Sequence, residues 1–137
     1  MEGAACEIPR DNRGQVAVPE LYTYAVALVR VVDGDTIVFD IDLGFKTWLR
    51  NQSVRLYGVN TAETNSRDAA ERESAKIAST FTRTWLTSAS KLTLKSNKYD
   101  DREKYGRILG TIYRDGDAVS LNEALVTENH AVRYMER

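Results

Sequence analysis

Val54-Arg55-Leu56-Tyr57-Gly58-Val59-Asn60-Thr61-Ala62-Glu63 starts as a strand and ends as a loop. Val54, Leu56 and Val59 are apolar, and Arg55 sits among them. A buried charge without a partner costs several kcal/mol. Arg55 therefore either points to solvent or faces a site that supplies negative charge. Glu63 follows on the loop that leaves the strand. Asp33-Gly34-Asp35-Thr36 lies upstream between two β-rich runs, and Lys104-Tyr105-Gly106-Arg107 lies downstream. Two acids near two arginines suit a metal-assisted attack on a phosphate. The acids hold a hard cation and activate water, and the arginines take the charge that develops.

Working outward, Tyr24 to Val32 is rich in β-branched and aromatic residues and predicts a strand. Asp33-Gly34 supplies a tight turn or bulge. Thr36 to Asp42 alternates and predicts a second strand. Leu43-Gly44-Phe45 turns the chain, and Thr47 to Tyr57 predicts a third strand with an irregularity at Asn51-Gln52. Three strands joined by short turns make an antiparallel meander. Between Arg67 and Leu86 the period changes. Ala70, Ser74, Ile77, Phe81 and Trp85 recur at helical steps, with Asn65 or Ser66 as the cap. Lys91 to Ser96 predicts a fourth strand and Arg107 to Tyr113 a fifth, with the polar stretch 97–105 between them. Asp115-Gly116 signals a hairpin turn, with Ala118-Val119 continuing beyond it. Ser120-Leu121-Asn122-Glu123 matches a capping box in which Glu123 reaches back. A short helix through about Glu128 follows, ended by Asn129 in the left-handed region. Five strands with a helix after the third fit an α+β fold, a five-stranded OB-fold β-barrel with two or three packed helices.

A chain of 137 residues is one domain by length. A domain near this size buries about 70% of the surface its unfolded chain exposes, so it needs no staples. Residues 1–20 carry two prolines and few large apolar side chains, which predicts an N-terminal tail or arm before a single domain at 21–137. The net charge of −1 excludes a globally basic nucleic-acid binder, so attraction to a polyanion needs a local patch or a bound cation. The single Cys6 forms no internal disulfide and reads as a spectator thiol. No apolar run is long enough to cross a membrane, and the first 20 residues lack the order of a signal peptide. The sequence leaves the compartment open.

Taken together, Val31-Val32-Asp33-Gly34-Asp35-Thr36, the stretch Arg55 to Glu63, Asp101 to Arg107 and Leu121-Asn122-Glu123-Ala124-Leu125-Val126 resemble the staphylococcal nuclease family. The resemblance runs from about Tyr24 to about Tyr134. It implies a monomeric, calcium-dependent phosphodiesterase acting on DNA and RNA, leaving 3′-phosphate and 5′-hydroxyl ends. Asp35 stands at a carboxylate ligand of Ca²⁺, Asn60 at a second carboxylate's position, and Thr61 at a backbone-carbonyl ligand. Glu63 matches the general base. Arg55 and Arg107 match the arginines that grip the scissile phosphate, and Lys104 and Tyr105 match residues near a terminal phosphate of a bound nucleotide.

Three departures stand out. Asn60 replaces the family's aspartate, which keeps an oxygen donor but removes a charge and implies weaker metal binding. Ala62 replaces a proline, which leaves the loop less fixed. The stretch after the second helix is short, so the family's last helix is expected to be missing or replaced by the extra residues at the start. The competing reading is an OB-fold module that binds nucleic acid or protein without cutting. Retention of Asp35, Arg55, Glu63 and Arg107 favours the enzyme.

Single residues have plainer readings too. Asp35 is a turn acid by itself, Glu63 and Arg55 are surface charges, and Arg107 is an edge-strand arginine. His130, the one histidine, reads as structural. Tyr22, Tyr24 and Trp48 read as core or rim packing, while Tyr99 is as suited to stacking on bases. Asp40 and Asp42 are expected to face solvent.

Overall fold

The structure is a computed structural model and describes residues 21–63, 65–96 and 107–133. The expected arm at 1–20, together with Tyr99, Lys104 and Tyr105, lies outside the described residues. The elements in order are β1 (Thr23–Asp33), β2 (Thr36–Gly44), β3 (Thr47–Leu56), β4 (Val59–Asn60), α1 (Ala69–Thr87), β5 (Leu92–Ser96), β6 (Ile108–Arg114), α2 (Leu121–Thr127) and β7 (Val132–Arg133).

Alternation in β2 explains the barrel. Ile37, Phe39 and Ile41 all face inward and are essentially buried, as a two-residue side-chain period requires. Val54 and Leu56 of β3, Leu94 of β5 and Ile112 of β6 meet them in one cluster. The sheet closes in the order β1-β2-β3-β6-β5, with β1 also pairing β5. The first three strands form the expected antiparallel meander, and β3 pairs β6 in parallel. This is the OB-fold α+β barrel. Leu121 and Leu125 of α2 are fully buried against the barrel, each contributing about 1.5–3 kcal/mol. No helix among the described residues is long and apolar enough to cross a membrane.

The irregularity expected at Asn51-Gln52 is a bulge. Asn51 takes φ 54°, the β2–β3 register slips between Phe39 and Ile41, and Asp40 Oδ1 accepts the Asn51 N–H at 2.9 Å. Asp40 and Asp42 are only partly exposed because each fixes local backbone. Asp42 Oδ1 accepts from Gly44 N at 2.9 Å.

Four expectations are corrected. The α1 face expected at Ala70, Ser74, Ile77, Phe81 and Trp85 holds only at its end: Trp85 is buried and Phe81 packs on the core, but Ala70 and Ser74 are exposed and Ile77 is 50% exposed. The buried face runs through Ala75, Ala78, Ser79, Thr82, Trp85 and Leu86, and its first four, small residues, let that part of the helix lie close to the barrel. The cap is Asp68, whose side chain accepts from Ala70 N at 3.0 Å, whereas Ser66 Oγ accepts from Asp68 N and braces the cap from behind. Ala118 and Val119 do not extend a strand. The Asp115-Gly116 turn instead leads to Asp117, whose carboxylate accepts from Val119 N at 2.9 Å and delivers the chain to α2. Ser120 caps α2 through Glu123 N at 3.1 Å as expected, but the Glu123 carboxylate does not reach back. It forms a two-pronged pair with Arg133 at 3.0 and 3.1 Å, because β7 returns alongside. Asn129 ends α2 at φ 63°.

Candidate functional site

The β1–β2 hairpin turns on Gly34 and Asp35, since Asp33 pairs with Thr36. Helix α1 presses on this turn. A Cβ on Gly34 would lie 2.9 Å from Ala78 Cβ, so only glycine permits the approach. Thr82, fully buried, donates its hydroxyl to Gly34 O at 2.8 Å. From the other side, Leu56 N donates to Asp35 O at 2.9 Å. The turn carrying Asp35 is thus pinned by a helix and a strand at once.

Arg55 lies opposite Thr36 in the β2–β3 register, on the outer face of the barrel wall. It does not reach solvent, being 8% exposed, and Asp35 is 6% exposed. Arg55 Nη1 lies 3.0 Å from Asp35 Oδ2. The same nitrogen donates to the carbonyls of Val59 at 2.7 Å and Leu56 at 3.2 Å, and Nη2 donates to Asn60 Oδ1 at 3.2 Å. These contacts close the tight turn between β3 and β4 around the guanidinium. A buried pair must be well hydrogen-bonded to offset the loss of hydration, and here both ions are. Asp35 Oδ2 also accepts from Thr61 N at 3.1 Å, and Oδ1 from Thr36 Oγ1 at 3.2 Å.

Arg107 enters from the start of β6. Arg55 pairs with Leu109, so Arg107, two residues earlier, shares the outer face with Arg55. Its Nη1 donates to Thr36 Oγ1 at 3.5 Å. Asp35, Arg55, Asn60, Thr61 and Arg107 therefore meet around Thr36, although they come from four separate parts of the chain. Glu63 lies two residues past Thr61 on the same loop, with its side chain exposed and its carbonyl accepting from Ser66 N at 3.3 Å.

Asp35 and Asn60 each bring a side-chain oxygen to the Arg55 guanidinium, and Thr61, held to Asp35 through its N–H, follows Asn60 in the chain. Such oxygens fit a hard cation such as Ca²⁺ with water completing the shell. Only one of the three is anionic. Among the described residues no group of three or more His, Cys, Asp or Glu stands together as a ready-made metal cluster.

Beside Asn60 and Thr61 opens a cleft of about 360 Å³, bordered by Glu71, Asn129 and His130. The His130 ring packs at 4.7 Å on Phe81, which suits the structural reading. The cleft exists because β4 and β7 pair as Val59 with Arg133 and Asn60 with Val132. Two contributors escaped sequence reasoning. Thr36 was read as part of a turn string and as the start of a strand, yet its hydroxyl also links Asp35 to Arg107. Thr82 gave no signal beyond a small polar residue inside a helix, and its contact is with a turn far away in sequence.

The family model of staphylococcal nuclease homologues matches residues 53–137. A thermonuclease of Staphylococcus hyicus is 35% identical over 109 residues, which make up 80% of this chain and 57% of the relative. Endonuclease YncB of Bacillus subtilis (strain 168) is 37% identical over 106 residues, 77% of this chain and 46% of the relative. SPbeta prophage-derived endonuclease YokF of the same organism is 35% identical over 106 residues, 77% of this chain and 33% of the relative. The chain spans about half the length of the curated relatives it matches. A matched segment of more than half the chain, joined to a closed OB barrel with a helix pinning its acidic turn, means that this chain belongs to the staphylococcal nuclease homologue family.

Proposed function

We propose that this domain is a calcium-dependent nuclease that hydrolyses phosphodiester bonds of DNA and RNA, leaving 3′-phosphate and 5′-hydroxyl ends. The observation that carries the reading is the meeting of the Asp35 carboxylate with Arg55 and Arg107 around Thr36. A buried acid with two guanidinium groups on one barrel wall is more charge than a structural turn requires.

Asp35, Asn60 and the Thr61 carbonyl would hold the Ca²⁺. When bound, the ion supplies positive charge beside the phosphoryl oxygens and a place for water. Arg55 and Arg107 supply N–H groups in the planar fork that matches phosphate, which lysine cannot copy. They stabilise the charge that builds on the phosphoryl oxygens as the water oxygen bonds to phosphorus and the bond to the 5′ oxygen breaks. Glu63 takes the proton from the attacking water, and the departing 5′ oxygen takes up a proton to become a hydroxyl. Removing one preorganised donor of this kind typically costs about 3 kcal/mol of barrier.

A second reading has one observation behind it. Asn60 replaces an acid and its amide oxygen accepts from Arg55, so one of the charges a cutting site would use is absent. Single-stranded DNA incubated with Ca²⁺, and in parallel with excess chelator, separates the two. Cleavage with Ca²⁺ alone, with 3′-phosphate ends, is expected. No cleavage with any divalent metal would leave the binding module standing.

A further inference from the structure

The β2–β3 ribbon runs well past the site. Ile37, Phe39 and Ile41 face the core, so Thr36, Val38, Asp40 and Asp42 lie on the other side of the ribbon, Thr36 and Val38 covered at 6% and 4% exposed and Asp40 and Asp42 partly open. The register gives this face Arg55, Ser53 and Trp48 as cross-strand partners of Thr36, Val38 and Asp42. Six residues of β2 separate the Thr36–Arg55 pair from the Asp42–Trp48 pair, about 20 Å at about 3.3 Å per residue. Trp48 is 39% exposed, and Arg50 stacks over its ring at 4.7 Å while its Nη1 donates to Asp40 Oδ2 at 3.1 Å. At the tip, residues 43–52 carry Lys46 and Arg50 and no acid, while Asp40 and Asp42 lie across the ladder and Asp40 pairs with Arg50, which leaves Lys46 as the cation nearest Phe45.

The tip of this hairpin is anomalous. Gly44 pairs with Thr47, so Phe45 and Lys46 are its two turn residues, at φ 57° and 63°. Two-residue turns of this kind favour Asn and Gly because both positions need positive φ. A bulky aromatic there is strained, and Phe45 is fully exposed, so its ring returns nothing to the core. Strain held at an exposed residue points to a use outside the fold.

We propose that the outer face of this hairpin, through Phe45, Trp48, Lys46 and Arg50, holds a single-stranded stretch of polynucleotide several nucleotides from the scissile phosphate. The proposal rests on the nuclease reading for its direction, because the same face leads from the hairpin to Arg55. Aromatic faces stack on any base, and basic side chains follow the backbone. At about 3.4 Å per nucleotide of a stacked strand, about 20 Å spans about six nucleotides, within the about 4 to 16 held per OB fold.

The test uses the full chain in chelator at low salt with a fluorescein-labelled 16-residue oligothymidylate, read by anisotropy. Phe45→Asn keeps a residue suited to positive φ, so the fold is retained, as a thermal melt will verify. Phe45→Asn and Trp48→Ala should each weaken binding about tenfold. With Ca²⁺ the KM for the 16-mer should rise in step, while hydrolysis of a dinucleotide too short to reach the hairpin stays unchanged. Unaltered oligonucleotide affinity in both variants overturns the proposal. So does hairpin-dependent binding to phosphatidylglycerol vesicles with oligonucleotide affinity unmoved. If the protein cuts nothing yet Phe45→Asn loses oligonucleotide, the nuclease reading falls and this surface stands. Cleavage with the same KM in both variants gives the reverse.

Discussion

The β2–β3 ribbon carries one arginine–aspartate pair at the end near Thr36 and another midway along it, at nearly the same distance. Arg55 and Asp35 stand 3.0 Å apart with side chains 10% and 9% exposed. Arg50 and Asp40 stand 3.1 Å apart with side chains 62% and 20% exposed. Distance does not distinguish them, but surroundings do. The buried pair shares its atoms with Leu56, Val59, Asn60, Thr36 and Thr61, so it organises a loop. The outer pair fixes one bulge through the Asn51 amide and lays a guanidinium over Trp48. The buried charges can therefore act strongly on a ligand and on stability, and the exposed ones are screened by water.

The contrast can be broken by substitution. The largest expected effect is on turnover. Glu63→Gln and Arg107→Ala should each lower the rate of DNA cleavage by orders of magnitude, while circular dichroism shows the barrel intact. Near-normal rates in both would mean that the roles are misassigned. Next comes stability. Arg55→Ala strands Asp35 in the barrel wall and should cost about 3–5 kcal/mol in urea unfolding, whereas Arg50→Ala should cost a small fraction of that. Equal losses would erase the distinction between the two pairs.

Asn60→Asp restores a second charge beside Asp35 and should tighten Ca²⁺ binding in a calorimetric titration. An unchanged titration would show that Asn60 does not face the ion. The smallest effect concerns acid. The Asn51 amide hydrogen bond, opposed by partial desolvation and aided by Arg50, holds the Asp40 carboxyl below the usual range. A carboxyl lowered in the folded state stabilises above its unfolded value of about 3.9, and that contribution fades as pH falls through the lowered folded value. The stability gap between the protein and Asp40→Asn should therefore be present at neutral pH and shrink below about pH 4. A gap independent of pH would remove the carboxylate from the bulge.

The strands were legible because Ile37, Phe39 and Ile41 alternate without interruption, and a one-residue slip would expose all three. The phase of α1 was legible only at Phe81 and Trp85, because Ile77 outweighs Ala75, Ala78 and Thr82 in any ranking by apolar size. Close approach to the Gly34 turn reverses that ranking, and the turn is distant in sequence. Arg55 was legible as a charge needing a partner, and the partner proved to be Asp35 rather than solvent. The Thr82 hydroxyl could not be anticipated, since its acceptor is a backbone carbonyl that only the folded barrel brings near. The hairpin tip was taken for an ordinary turn, and Trp48 for rim packing. Neither reading foresaw that Phe45 stands wholly in water at positive φ.

The short ladder between β4 and β7 has a bearing on biosynthesis. Asn60 is tied by backbone pairing to Val132, and Arg133 beside it is clamped by Glu123. A ribosome releases the chain from its amino end, so Asn60 emerges long before the segment that braces it. β3, which bears Arg55, likewise waits for β6 before its second edge is covered. The surroundings of Thr36 are thus incomplete until Val132 has been made, and a nascent chain stalled before residue 132 lacks the brace on Asn60.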